Sequence, residues 1–134
     1  MLTKNNIELI LVDDDEILLM ILERMFIKAA PNLTIRGFES GQNALSYLAK
    51  YPRKEDRFLL VDINLKDMTG WDFLSVIEET EDPSKIIMIT SSVDSNNENM
   101  AKRHPNVINF FEKPITYSIV QEILQNIEEK VEKA

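Results

Sequence analysis

The chain has 134 residues, 44% hydrophobic and 28% charged, with three Gly and five Pro, which fits one folded domain and excludes disordered, collagen-like and low-complexity architectures. It has no Cys, so disulfides, thiolate zinc sites and cysteine catalysis are excluded. Lys and Arg total 15 against 23 Asp and Glu, a net charge of −8 that argues against direct nucleic-acid binding or a grip on anionic lipid. The longest uninterrupted apolar run, Ile17 to Leu22, is six residues, far short of the roughly 18 that a membrane span needs. Met1 to Asn6 holds no apolar core of the signal-peptide kind. A cytoplasmic location with no membrane partner is the expectation.

In chain order, Ile7 to Val12 reads as a strand, apolar from Leu9 onward. Glu16 to Ala30 reads as a helix, apolar nearly all round and therefore expected to be well buried. Thr34 to Phe38 contains Arg36 and Gly37 and suits a sheet edge. Ser40 can cap a helix reaching about Tyr51. Phe58 to Val61 is a second continuous apolar run, and Trp71 to Glu79 a helix with Trp71 anchoring its start. Ile86 to Ile89 is a further strand, followed by a weaker helix from Ser95 to about His104, with His104 expected to be exposed at its end. Val107 to Phe111 is a strand interrupted only by Asn109. The last helix begins near Tyr117 after a Thr116 cap, with a stripe of Val120, Ile123, Leu124, Ile127 and Val131 and a solvated end over Glu128 to Lys133. Met20, Met25 and Met88 read as core fillers.

Strands without alternation suggest a parallel sheet covered on both faces. Five βα units with right-handed crossovers give a doubly wound α/β fold, a three-layer αβα sandwich, whose ligands bind at the carboxyl ends of the strands. At those ends stand Asp13, Asp14 and Asp15, then Asp62, then Thr90 and Ser91, then Lys113 before Pro114. Singly, each has an ordinary explanation: a strand-end Asp is usually a turn or cap residue, as expected of Asp15, and a lone Thr or Lys is usually solvated. Jointly, four segments deliver carboxylates, a hydroxyl and an ammonium to one rim. Three converging carboxylates, Asp13, Asp14 and Asp62, repel one another unless a counter-ion joins them. A hard divalent cation such as Mg²⁺ with Lys113 supplies three positive charges against their three negative ones. A carboxylate held ionised there can attack phosphorus while metal, Lys113 and Thr90 neutralise the transferring oxygens.

Four motifs, Leu11-Val12-Asp13-Asp14-Asp15, Leu60-Val61-Asp62-Ile63-Asn64-Leu65, Met88-Ile89-Thr90-Ser91 and Phe110-Phe111-Glu112-Lys113-Pro114, stand in the order and spacing of a known family. Over essentially its whole length the chain resembles the receiver domain of two-component response regulators, single-domain and CheY-like. The resemblance implies a flavodoxin-like sheet of strand order 2-1-3-4-5, a single receiver domain over residues 1–134 with its core at about 7–132, and a signalling role in phosphorelay. It makes Asp62 the acceptor of a phosphoryl group from a sensor histidine kinase or phosphotransfer protein. Asp13 and Asp14 become the metal pair, joined by Asp62 and the backbone carbonyl of Asn64, for Mg²⁺ or another divalent cation such as Mn²⁺. Thr90 matches the switch hydroxyl, Phe110 the aromatic switch position, and Lys113 the lysine that pairs with the acceptor, followed by a bond to Pro114 that is commonly cis. Ser92 falls at a position that tunes dephosphorylation. A downstream target protein is implied as the output partner. Lys66 and Thr69 depart from the family's usual Pro and Asp, which bears on the rigidity of the loop after the acceptor. Lys113, read as the only basic group at the rim, is expected to matter more for signalling than for folding.

Two alternatives differ in class. A haloacid-dehalogenase-type phosphohydrolase would start from Asp13-Asp14-Asp15-Glu16-Ile17, but Ile17 does not match, no acidic pair follows Lys113, and Asp62 is left unexplained. A pseudo-receiver, an interaction module that has lost phosphorylation, would not need the complete set of site residues.

Overall fold

The structure, a computed structural model, describes residues 6–52, 56–91 and 95–132. Five strands alternate with five helices: β1 (Glu8–Val12), α1 (Glu16–Ala29), β2 (Thr34–Phe38), α2 (Gly41–Lys50), β3 (Arg57–Asp62), α3 (Gly70–Glu79), β4 (Lys85–Thr90), α4 (Ser95–Lys102), β5 (Val107–Glu112) and α5 (Tyr117–Glu132). All pairings are parallel, in the order β2-β1-β3-β4-β5. The expected elements are all present. The charged terminal stretch ends outside the described residues at Lys133.

The pleat divides the core into two layers. Leu9, Leu11, Phe58, Leu60, Ile87 and Ile89 meet Leu19, Leu22 and Phe26 of α1 and Val120, Ile123 and Ile127 of α5. On the other face, Ile10, Val12, Leu59, Val61 and Met88 meet Ala44 and Leu48 of α2 and Phe73, Leu74 and Ile77 of α3. Burying each large apolar side chain contributes about 1.5–3 kcal/mol, so β1, β3 and β4, fully buried along their apolar runs, form the stable centre of the sheet.

Helix ends follow their local chemistry. Asp15 accepts from the N–H groups of Ile17 and Leu18 at 3.1 Å, starting α1. Ser40 accepts from Asn43 N–H to start α2, and Thr69 with Asp72 forms a reciprocal capping box on α3. Thr116 Oγ accepts from Ile119 N–H at the start of α5.

Three expectations are corrected. α1 is not buried all round: Ile17 is 70% exposed, and Met20, Ile21 and Ile27 are also exposed. The helix rests on β2 and α5, and a helix near a sheet edge can bury only one stripe against those neighbours. Met20 is therefore surface, while Met25 is partly buried and Met88 is core. β5 is half-exposed along its apolar run, because it is an edge strand and the eight-residue α4 covers little of it. His104 is not a free helix-end residue: its Nδ1 contacts the Glu78 carboxylate, and its ring stacks on Trp71 with centroids 5.9 Å apart.

Candidate functional site

The carboxyl ends of β1, β3, β4 and β5 meet at one rim. Asp13 continues β1 and is 1% exposed; its Oδ1 accepts from Asp15 N–H at 2.9 Å. Asp62 ends β3 at 4% exposure, and its Oδ1 accepts from Asn64 N–H at 3.1 Å. Lys113, just past β5, donates from Nζ to Asp62 Oδ2 at 3.1 Å and lies 2.7 Å from Asp13 Oδ2. Its backbone N–H donates to the Thr90 carbonyl at 2.7 Å, which fixes the end of β5 to the end of β4. The Lys113-Pro114 bond is cis, as the resemblance implies. Thr90 is fully buried. Phe110 is half-buried against the core layer of α2 and α3. Ser92 lies outside the described residues.

The electrostatics follow from burial. Desolvation raises the Asp62 carboxyl above its ordinary value, with Asp13 adding to the rise, while Asn64 N–H and Lys113 oppose it. Burial pulls the Lys113 ammonium down, but its contacts with Asp13 and Asp62 together outweigh this and leave its value raised.

Asp13, Asp14 and Asp62 each offer a carboxylate oxygen within 4.8 Å of the others. Asp13 Oδ2 is buried and receives no aligned hydrogen bond, its contact with Lys113 being an ion pair, while Asp14 is half-exposed and keeps one side open. An all-oxygen set with one open side suits a hard divalent cation that retains waters. Asp15, by contrast, spends its carboxylate on capping α1, which removes it from the second position of a phosphohydrolase motif.

Three features of the rim escaped sequence reading. Lys66 is a second ammonium there: it lines an opening of about 550 Å³ with Asp14, Asp15, Glu16, Ile17 and Glu39. Glu39 directly follows β2, and reading the end of that strand like the others would have found it. A hydrogen bond with Glu16 raises the Glu39 carboxyl, with desolvation and the Glu16 charge adding and Lys66 opposing. The third feature is the anchoring of the loop after Asp62. Asp67 accepts from Gly41 N–H at 3.0 Å and Gln42 N–H at 2.9 Å, clasping the first turn of α2. Asn64 and Thr69 pair across the loop, and Gly70 N–H donates to the Ile63 carbonyl at 2.7 Å. The loop is thus pinned without the proline it lacks. Gly70 is required at its end, since a Cβ there would lie 2.9 Å from Ile63 Cα and 3.0 Å from the Asp62 carbonyl oxygen.

The response regulator receiver domain family matches residues 9–127. A curated relative described as the probable methanogenesis regulatory protein FilR2, from Methanothrix harundinacea, is 23% identical over 125 residues, covering 90% of this chain and 81% of the relative. A CheY-like response regulator receiver domain protein from Methanospirillum hungatei superposes with a TM-score of 0.80 at 18% identity, covering 96% of this chain and 98% of that one. A two-component response regulator from Legionella pneumophila gives 0.78 at 22% identity, with 92% and 99% covered. At these identities the solved structures speak for the fold alone, a flavodoxin-like parallel sheet. No helix among the described residues is long and apolar enough to cross a membrane. The family is one of signalling domains that carry an acidic pocket for a divalent cation and work with histidine kinases or phosphotransfer proteins and with downstream targets. The match across residues 9–127 settles membership: the chain belongs to the response regulator receiver domain family.

Proposed function

We propose that Asp62 accepts a phosphoryl group from the phosphohistidine of a sensor kinase or phosphotransfer protein, and that residues 7–132 act in the cytoplasm as one receiver domain. The observation that carries this reading is the Asp62 carboxylate itself, buried at the end of a central strand and held by Asn64 N–H and Lys113 Nζ beside Asp13. Asp13, Asp14, Asp62 and the Asn64 carbonyl would hold Mg²⁺ or Mn²⁺, which when bound neutralises phosphoryl oxygens. An Asp62 oxygen bonds to phosphorus as the phosphorus–nitrogen bond breaks, and the imidazole leaves with the bonding electrons and takes up a proton. Lys113, already 3.1 Å from Asp62, follows the new charge. Thr90 turns its hydroxyl toward the phosphoryl oxygens, and Phe110 moves into the volume it leaves, changing the surface of α4 and β5. The chain catalyses only its own phosphorylation and dephosphorylation, and its output is a protein contact. The exposed Ile17, which lines the acidic opening, and the exposed Met20 and Ile21 a turn further along α1 suit a protein donor.

The test is mass spectrometry of the chain incubated with a small phosphodonor and Mg²⁺. One phosphoryl adduct is expected, absent in Asp62→Asn and in excess chelator and retained in Asp15→Asn. An adduct lost in Asp13→Asn but kept in Asp62→Asn would favour the phosphohydrolase; no adduct under any donor would favour the pseudo-receiver.

A further inference from the structure

Lys113 is committed to two buried carboxylates, at 2.7 Å from Asp13 and 3.1 Å from Asp62. The outer opening, lined by Asp14, Asp15, Glu16 and Glu39 on a chain of net charge −8, adjoins the Asp62 carboxylate through Asp14, which belongs to both the opening and the cluster with Asp13 and Asp62. That field repels anions and concentrates cations. Among the described residues lining the opening, Lys66 is the one cation. It is exposed, and its place is fixed by the backbone rather than by chance. The residues on either side of it are tied down: Leu65 is buried, Asp67 clasps the N-terminus of α2, and Asn64 pairs with Thr69. Met68 packs against Gly41 closely enough that a Cβ on that glycine would meet its sulfur at 2.6 Å.

From this geometry we propose that Lys66 is a specificity-determining residue for the phosphodonor: it offsets the carboxylate field at the opening, steers the more highly charged donors inward and weakens the hold on the divalent cation. The inference rests on Asp62 being the acceptor, and it adds a second ammonium with a task distinct from that of Lys113. Lys113 answers the charge on Asp62; Lys66 acts before transfer, on whatever crosses the opening.

Acetyl phosphate and phosphoramidate separate the effect of charge from that of structure. With either, a phosphorus–oxygen bond to Asp62 forms as the bond to the leaving group breaks, releasing acetate or ammonia. The first is dianionic and the second monoanionic at neutral pH. A unit charge about 10 Å from a dianion in water changes its local concentration roughly fourfold, and from a monoanion roughly twofold. Lys66→Gln should therefore slow labelling by acetyl phosphate about fourfold and by phosphoramidate about twofold at low salt. Lys66→Glu should deepen both losses, Lys66→Arg should restore both rates, and molar salt, with a Debye length of about 3 Å, should erase the differences. Mg²⁺ affinity, read by calorimetry without any labelling, should move the other way, tightening about fourfold in Lys66→Gln. Equal slowing of both donors, or slowing that survives high salt, would show a structural effect and overturn the steering role. Unchanged Mg²⁺ affinity in Lys66→Gln and Lys66→Glu would overturn it whether or not Asp62 labels. Failure of the unmodified chain to label at all, with Mg²⁺ affinity shifting as expected, would instead remove Asp62 as acceptor and leave the field of Lys66 supported.

Discussion

Replacing Lys113 by Met tests the electrostatics of the rim in the folded, metal-free chain. Sequence reading gave Lys113 a signalling role with little weight in folding; the structure ties it to two buried carboxylates. At an effective dielectric of about 20, contacts of 2.7 and 3.1 Å correspond to gross attractions of about 6 and 5 kcal/mol. The desolvation of the ammonium offsets most of that, and breaking one side of a buried pair typically costs about 3–5 kcal/mol. Lys113 is 20% exposed along its side chain, and the stranded carboxylates can take up a proton, so about 2 kcal/mol remains at neutral pH. For a chain of this size that lowers Tm by about 8 °C. The sign of the pH dependence follows from the two partners. The Asp62 carboxyl is raised in the folded state, so its ionisation costs stability as pH climbs through that raised value. Without Lys113 this cost grows, and the gap between Lys113→Met and the unmodified chain should close as the pH falls toward about 4. The raised Lys113 ammonium is charged throughout this range; its own contribution is lost only above the ordinary lysine value, as pH rises through its folded one. Thermal unfolding followed by circular dichroism in excess chelator, between neutral pH and mild acid, measures both effects. A midpoint unchanged at pH 7, or a gap that widens in acid, would refute the reasoning.

Three further outcomes follow from named contacts. Asp67→Ala removes a carboxylate that Gln42 N–H, then Gly41 N–H, hold below its ordinary value of 3.8; a capping loss of about 1 kcal/mol is expected, discounted for exposure. That contribution is present above the ordinary carboxyl value and lost as pH falls through the depressed folded one, so the two unfolding midpoints should converge in strong acid. Gly70→Ala forces α3 away from the end of β3, which should cost about 1–3 kcal/mol by denaturant titration and slow the labelling of Asp62. Thr90→Ala should leave that labelling intact while weakening the NMR shift response of residues 95–102 to a phosphoryl mimic; a full response would remove Thr90 from the switch.

The fold was legible because its signals are local. Apolar runs of strand length, the Asp15 and Ser40 caps and the stripe on α5 each follow from residues a few positions apart. The rim was legible because a parallel sheet carries strand ends to one edge, so Asp13, Asp62, Thr90 and Lys113 could be grouped without distances. What failed depended on which surfaces meet. The composition of α1 makes Leu19 and Met20 equally apolar, and only its placement on β2 and α5 decides that Leu19 is buried and Met20 exposed. Glu8 and Arg57 open otherwise apolar strands yet are buried, because Arg57 Nε donates to Glu8 at 2.7 Å, its Nη2 donates to the Tyr51 carbonyl at 2.6 Å, and the Tyr47 hydroxyl donates to Glu8 at 2.6 Å. Asp67 lies 26 positions from the Gly41 N–H it accepts from, a separation at which no local pattern announces a cap.

Two chains of contact lead from the rim to α4, and in the proposed function they would carry a charge change there to the surface. Met88 and Phe110 lie opposite each other on β4 and β5 and pack in the same core layer, and alternation along β4 puts Thr90 on that face as well. Phe110 borders a groove with Ala101 and Lys102 of α4. The second route runs through the backbone: Gly70 abuts the Asp62 carbonyl, and the next residue, Trp71, donates from Nε1 to Asn97 Oδ1 of α4 at 3.4 Å and stacks on His104. α4 is eight residues of low mean hydropathy, and Ala101 is its buried apolar contact among the described residues. A helix held by so few contacts opens at low free energy. In the proposed function, a change of charge at Asp62 would reach α4 along either of these two chains of contact.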